Sequence, residues 1–268
     1  MKGQLALPLQ HPVRTLELRP VSAPLFVREL VVLRTLAPGE DQVVRRMTLR
    51  PGLNVLWARS EEGEDEGDVR AGLSGHAAGK TTFCRLLRYA LGEPHFGDDT
   101  LRRALRAALP EAWLLAEVHV RGQVFAVCRP LGIGPHPFVV RGGLSGVFDA
   151  EAEREELAVY LQALDGLVCD ENGGPLPLPS SGAPLRFGHL LQWLARDQEC
   201  RLADLLAWRD PSSESGAPQL DTAERQFLVR AILGLLSAQE GRELATYEDL
   251  LAQRRIVDLI RKHLDERR

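Results

Sequence analysis

The chain has 268 residues, a net charge of -4, 44% hydrophobic residues and 26% charged residues. These values are ordinary for a soluble globular protein, and they exclude a surface that binds polyanions over its whole extent. No apolar run approaches the roughly 20 residues that span a bilayer, and the N-terminal MKGQLALPLQHP lacks a secretory pattern, so we expect a cytoplasmic protein.

Strands are predicted mainly in the first half of the chain, after a proline-spotted N-terminal extension at residues 1–26. Runs rich in β-branched residues and leucine predict strands at 27–34, 42–50, 53–57, 113–120, 123–130 and 138–141. The run at 53–57 is nearly all apolar, which is typical of a strand covered on both faces. Arg121 and Gly122 separate two of the runs and predict a β-hairpin.

Helices are predicted where apolar residues recur at helical spacing. These segments are 80–91, 100–109, 150–164, 185–197, 201–208, 221–240 and 243–268. An acidic, glycine-punctuated insertion near 59–73 and a Gly/Pro/Ser segment at 172–184 are predicted loops. The fold class is therefore α/β, with one lobe at 27–184 and a helical region at 185–268 that leads to a coiled-coil root.

A segment of small residues precedes the helix predicted at 80–91. It matches the Walker A pattern G-x-x-x-x-G-K-[ST] except that serine replaces the first glycine: Ser74, Gly75, His76, Ala77, Ala78, Gly79, Lys80, Thr81. Small residues let the backbone curl so that N–H groups point at phosphate oxygens, and the following helix adds its positive end. Lys80 would neutralise the β- and γ-phosphates, Thr81 would ligate magnesium, and Thr82 would donate near the α-phosphate. The segment predicts binding of a nucleoside triphosphate, ATP with Mg²⁺; the alternative is an ordinary glycine-rich turn before a helix.

Over residues 27–141 the order of features resembles the N-terminal half of an ATPase head from the SMC/RecN-like branch of the ABC ATPases. The shared features are two strands, the turn and strand PGLNVL, the phosphate loop, a leucine-rich helix and the hairpin AEVHVRGQVFAVCRP. The acidic insertion before the loop departs from this pattern, although some bacterial relatives in anti-phage and plasmid-defence systems carry one. The resemblance implies a P-loop NTPase half-domain, a Q-loop glutamine that contacts magnesium and the attacking water, here Gln198, and a basic residue near the nucleotide, here Arg34.

The resemblance also implies a second half with a signature motif, Walker B carboxylates and a switch histidine. We expect these parts to be absent, supplied by another chain or lost by truncation, so that hydrolysis needs a composite site completed by a second ATPase half or protomer. Nucleotide-dependent association would follow. DNA is a further implied partner, and the basic candidates for it are Arg45, Arg46, Arg102, Arg103 and Arg106.

Three alternatives to this interpretation stay open. In a miniature ABC domain, Leu144-Ser145-Gly146 would be the signature, Asp170 and Glu171 the Walker B pair and His189 the switch. A self-contained P-loop kinase or NTPase would use the same acidic pair as base and magnesium ligand. A non-catalytic interaction module would use the leucine-rich C-terminal third.

A zinc site is disfavoured, because the four cysteines are far apart and fit reduced, buried thiols better: Cys84, Cys128, Cys169, Cys200.

Overall fold

The computed structural model of the protein describes residues 23–55, 79–169, 176–195, 220–233, 235 and 238–265. Its strands are β1 (Leu25–Leu33), β2 (Val43–Thr48), β3 (Trp113–Val120), β4 (Gln123–Pro130), β5 (Phe138–Arg141) and β6 (Arg154–Glu156). Its α-helices are α1 (Lys80–Ala90), α2 (Asp99–Ala108), α3 (Leu157–Cys169), α4 (Phe187–Leu194), α5 (Thr222–Ile232) and α6 (Ala238–Asp265). Short 3-10 helices at Glu40–Gln42 and Leu144–Phe148 come before β2 and β6. The predicted α/β class is confirmed.

The described strands form one sheet in the order β2-β1-β3-β4-β5-β6, and every neighbouring pair is antiparallel. The predicted hairpin is present, with Val120 opposite Gln123. Its two turn residues, Arg121 and Gly122, both have positive φ, at 48° and 82°. Two successive left-handed residues make the type I′ turn, whose twist matches that of the flanking strands.

The sheet has two apolar faces, because side chains alternate along each strand. Leu30, Leu114 and Val127 lie on the face that packs against the helices, where Leu86 of α1 and Leu164 of α3 are buried with them. The second face carries a smaller cluster, whose buried members are Val31, Leu33, Trp113, Leu115, Ala126, Cys128, Val140 and Val147. Helix α1 therefore lies on one face of the sheet, and the 3-10 segment that contains Val147 lies on the other.

The strand predicted at 53–57 is wrong over its described part. Leu53 and Val55 belong to no strand and are 79% and 73% exposed. The side chain of Asn54 accepts a hydrogen bond from Arg50 N at 3.0 Å and donates to Arg50 O at 2.8 Å. These local bonds close a turn after β2 and compete with strand pairing, so the apolar side chains point outward.

Two helix predictions were wrong in extent. The helix predicted at 150–164 begins only at Leu157, because the preceding residues form β6 and pair with β5, with Glu156 opposite Phe138. Sheet pairing overrides the helix propensity of that glutamate-rich run. The predicted division between 221–240 and 243–268 also lies elsewhere, since α5 ends at Ile232 and α6 continues through Gly241. The helix predicted at 201–208 lies outside the described residues.

Candidate functional site

The described part of the candidate phosphate loop is its junction with α1. Gly79 is the N-cap of α1 and has left-handed backbone angles, φ 76° and ψ 12°. The first helical bond runs from Phe83 N to Gly79 O at 2.8 Å. A left-handed residue beside right-handed helical residues directs successive N–H groups to one side, which is the geometry of an anion-binding nest.

The electrostatics of this junction also suit an anion. Gly79 has no side chain that could cap the free N–H groups, and the first turn of α1 contains no acidic residue. Thr81 is half-buried and Thr82 is exposed. Among the described residues, no side chain therefore caps the positive end of the helix macrodipole, and this end suits an anion.

The remaining residues predicted for this site fall partly outside the described chain. Lys80 is the first residue of α1, as predicted. Ser74, Gly75, His76, Ala77 and Ala78 lie outside the described residues, and so does Gln198. The predictions for these six positions stay predictions.

The opposite end of α1 is fixed to the sheet by Arg129 of β4, whose side chain is almost wholly buried. Its Nη1 donates to the carbonyl oxygens of Tyr89 and Glu93, and its Nη2 donates to Pro94 O at 3.3 Å. The guanidinium also stacks 3.6 Å above the centre of the Tyr89 ring. A buried cation thus binds one carbonyl in the last turn of α1 and two in the segment that follows it, at the negative end of the helix.

Two further contacts hold the same end of α1. Arg88 and Glu93 form an ion pair, with Nε to Oε2 at 3.3 Å, and both side chains are at most 2% exposed. Tyr160 of α3 donates from its hydroxyl to Ala90 O at 3.0 Å. Helix α1 is therefore held at the end remote from Gly79 by strand β4 and helix α3.

Helix α4 ends beside the middle and second half of α1. A cavity of about 240 Å³ lies between the two helices, and Cys84, Leu87, Leu194 and Ala195 are among its lining residues. The described chain stops at Ala195, three residues before Gln198. Three residues span at most about 11 Å, so the predicted Q-loop glutamine follows a helix that shares a cavity with α1.

Arg34 lies at the end of β1, where its backbone N–H donates to Gln42 O at 2.8 Å. Its neighbour Leu33 is opposite Trp113, which is opposite Pro130. Tyr89, in the last turn of α1, donates to Pro130 O at 2.9 Å. This end of the sheet is therefore the one next to the C-terminal end of α1, and no contact among the described residues joins Arg34 to Gly79.

The residues of the miniature ABC alternative are not brought together in the described chain. Leu144-Ser145-Gly146 belongs to a 3-10 helix on the second face of the sheet, opposite α1. His189 lies in the first turn of α4, where its Nδ1 accepts from Arg186 N at 3.0 Å. Burial lowers the pKa of His189, although the charges of Glu224 and Asp165 oppose this. Asp170 and Glu171 lie outside the described residues.

The second face of the sheet carries a groove of about 580 Å³ between the β1–β2 connection and the 3-10 helix at Leu144–Phe148. Glu117 lies at its base and accepts from Arg28 at 3.0 Å, from His119 at 3.2 Å and from Leu144 N at 3.2 Å. Burial alone would raise the pKa of Glu117, but these hydrogen bonds outweigh it and lower the pKa. At the rim, Arg46 contacts Glu29 and Glu40, both at 2.9 Å.

Neither Arg129 nor Glu117 was identified from the sequence as a residue whose hydrogen bonds join separate segments of the fold. Each lies in a run with strand character, and nothing in the sequence says which helix end or loop its side chain will meet. The only available signal was that a charged residue interrupts an apolar strand, which requires a partner if the strand is buried.

The chain was compared with known proteins at three levels. No family model matches it, and no curated protein or solved structure is significantly similar to it. Of the helices that the structure describes, none combines the length and apolarity needed to cross a membrane. Within the same residues, no three His, Cys, Asp or Glu side chains are grouped as metal ligands.

Proposed function

We propose that this chain binds ATP with Mg²⁺ on the loop from Ser74 to Thr82 and is the N-terminal half of an SMC/RecN-like P-loop ATPase head. The observation that supports the proposal is the left-handed conformation of Gly79 immediately before the helix that starts at Lys80. The sequence predicts this bend at this position, and a glycine-lysine pair at a helix N-terminus supplies both backbone donors and a cation for phosphate.

The chemistry of the residues fits the ligand. A Cβ built on Gly79 meets no atom of the described residues within 4 Å. Lys80 would bind the β- and γ-phosphate oxygens, and the Thr81 hydroxyl and Gln198 would serve as magnesium ligands. When bound, the metal would neutralise charge on the phosphates.

Hydrolysis would need a composite site, because the predicted motifs beyond Gln198 belong to a second half or protomer. The described strands are all antiparallel, whereas phosphate loops usually follow a strand of a parallel sheet. Nucleotide-dependent association with a second ATPase half, in a DNA-associated or defence role, is proposed from the sequence resemblance over residues 27–141 and not from the described sheet.

The test measures ATP affinity of the full chain by titration calorimetry in the presence of Mg²⁺. Lys80→Ala should abolish measurable binding, whereas the matched control Lys262→Ala, on the exposed face of α6, should bind like the wild type. Unchanged affinity in Lys80→Ala would remove the proposal.

Size-exclusion chromatography with and without ATP tests the composite site. Association that depends on ATP and is lost in Lys80→Ala supports it. Robust turnover by the dilute monomer, abolished by Glu171→Gln, would instead identify a self-contained NTPase.

A further inference from the structure

A polar cavity of about 510 Å³, here called the α2 cavity, lies at the end of α1 remote from Gly79. Its walls come from three segments: the connection between α1 and α2, helix α2 itself, and the loop that follows β4. This volume is within the range of small-molecule sites.

The walls of the α2 cavity are held by contacts that do not depend on a ligand. Pro94 is fixed by Arg129, and Tyr89 is fixed to Pro130 by its hydroxyl. On the opposite wall, a Cβ on Gly132 would lie 2.0 Å from Pro110 O, so only glycine permits this approach of the two backbones. The cavity is therefore formed before any ligand arrives.

Two arginines of α2 line this cavity. Arg102 and Arg106 are four residues apart and so lie on the same helix face, one turn from each other. Arg102 is oriented by a bond of 2.6 Å from Nη1 to Gly97 O and by an ion pair with Asp99. Its guanidinium is thus held in place, which lowers the entropy cost of contacting a ligand.

Arg106 and His95 have no such partners. Neither side chain forms an ion pair or hydrogen bond within the part of the chain that the structure describes. Among the described residues that line the cavity, two guanidinium groups and one imidazole stand against one carboxylate, that of Asp99. The local charge is positive, although the whole chain carries -4.

The groove on the second face has the larger volume, but its charges are already matched. Arg28 contacts Glu117, and Arg46 contacts Glu29 and Glu40. The α2 cavity differs because its cations exceed its carboxylates.

We propose that the α2 cavity binds a small phosphorylated molecule, with Arg102 and Arg106 contacting the phosphate. Guanidinium groups present paired donors that match phosphate oxygens, and charge-assisted bonds of this kind are strong. Tyr89 and Phe96, whose rings are 5.9 Å apart, form the apolar wall beside the cations. The concave shape and the small number of cations favour a compact phosphate over a nucleic-acid duplex, which contacts a protein through many phosphates along an extended surface.

The experiment uses the full chain with Lys80→Ala as background, so that phosphate binding at the predicted loop does not contribute. Inorganic pyrophosphate and AMP are the probes, and titration calorimetry gives their affinities. Adding Arg106→Ala should weaken pyrophosphate binding at least tenfold. The matched control is Arg103→Ala, which removes the same charge from the same helix at a residue that does not line the cavity, and it should change affinity less than twofold.

The outcomes separate this site from the phosphate loop. AMP binding tighter than pyrophosphate identifies a nucleotide as the source of the phosphate, and the reverse identifies a free anion. The proposal is overturned if the Lys80→Ala chain binds neither probe at millimolar concentration, or if Arg103→Ala and Arg106→Ala weaken binding equally. It is also overturned if duplex DNA binds in a salt-dependent manner and displaces both probes. None of these results bears on ATP binding by the wild-type loop.

Discussion

Replacing Arg129 by methionine removes the cation that holds the C-terminal end of α1 while keeping most of the volume of the side chain. The change removes the donor to the buried carbonyl oxygen of Glu93 and to the part-buried carbonyl oxygen of Pro94, and it takes one of two donors from Tyr89 O, which keeps its bond from Gly92 N at 3.2 Å. It also removes the stacking of the guanidinium on the Tyr89 ring.

The expected loss follows from these contacts. An unsatisfied buried acceptor costs about 1–3 kcal/mol, and a desolvated cation–π contact contributes about 2 kcal/mol. Part of this is offset, because burial lowers the pKa of Arg129 and so its desolvation already costs free energy in the wild type. We expect the free energy of unfolding to fall by about 3–5 kcal/mol, which is the sum of the lost acceptor bonds and the lost stacking less the desolvation cost of the arginine. At about 2–4 °C for each kcal/mol, the melting temperature should fall by roughly 10 °C.

Urea denaturation followed by tryptophan fluorescence measures this loss. The matched control is Arg103→Met, on the exposed face of α2, which should change stability by less than about 0.5 kcal/mol. Arg129→Lys should lie between the two, because lysine keeps the charge but cannot bind several carbonyls with a planar fork. A loss below 1 kcal/mol in Arg129→Met would refute the role assigned to this residue.

Three further predictions follow from local geometry. Gly79→Ala and Gly182→Ala both place an alanine at positive φ with no described atom within 4 Å, so each variant should lose about 1–2 kcal/mol of stability. Only Gly79→Ala should also weaken ATP binding in calorimetry. Equal weakening of ATP binding by the two variants would contradict the loop assignment. Burial lowers the pKa of His189, and the charges of Glu224 and Asp165 oppose this shift. The stability that the neutral histidine contributes is therefore fully present above the unfolded pKa of about 6.5. It is lost as the pH falls through the lower folded pKa. The stability difference between wild type and His189→Gln should therefore shrink between pH 7.5 and 5 in chemical denaturation, and a constant difference would contradict it. Burial raises the pKa of the Cys128 thiol to about 12, so maleimide at pH 8 should label Cys128 only after unfolding. Mass spectrometry measures the labelling of Cys128, and rapid labelling in the native chain would disprove the prediction.

Several elements could be predicted from local sequence because their signals are strong. The β3–β4 hairpin was located to the residue, since two apolar runs flank an Arg-Gly turn. Helix α1 was predicted within one residue of its observed ends, because glycine marks its start and the apolar residues recur at helical spacing. The segments at 53–57 and 150–164 were predicted wrongly, because local hydrogen bonds of Asn54 and pairing with β5 decided their conformation.

Some residues of the candidate sites could likewise be predicted from the sequence, and others could not. The glycine and lysine at the start of α1 were identified from their spacing, and the helix begins at Lys80 as predicted, whereas the left-handed conformation of Gly79 comes from the structure. Ser74, Gln198 and Glu171 stay predictions from sequence. Arg102 and Arg106 were identified from the sequence only as candidates for contact with DNA, and their common cavity depends on the loop after β4.

The sequence by itself determined several local elements: where α1, β3 and β4 begin and which turn closes the hairpin. It also predicts which residues form the candidate phosphate loop. These depend on interactions between residues a few positions apart. The tertiary structure alone decided which buried charges meet. Arg129 donates to a carbonyl group about 40 residues away in sequence. Glu117 accepts hydrogen bonds from Arg28 and Leu144, and these three residues belong to three separate segments of the chain. Such contacts follow from how the strands are ordered in the sheet, and residue spacing along the chain carries no record of that order.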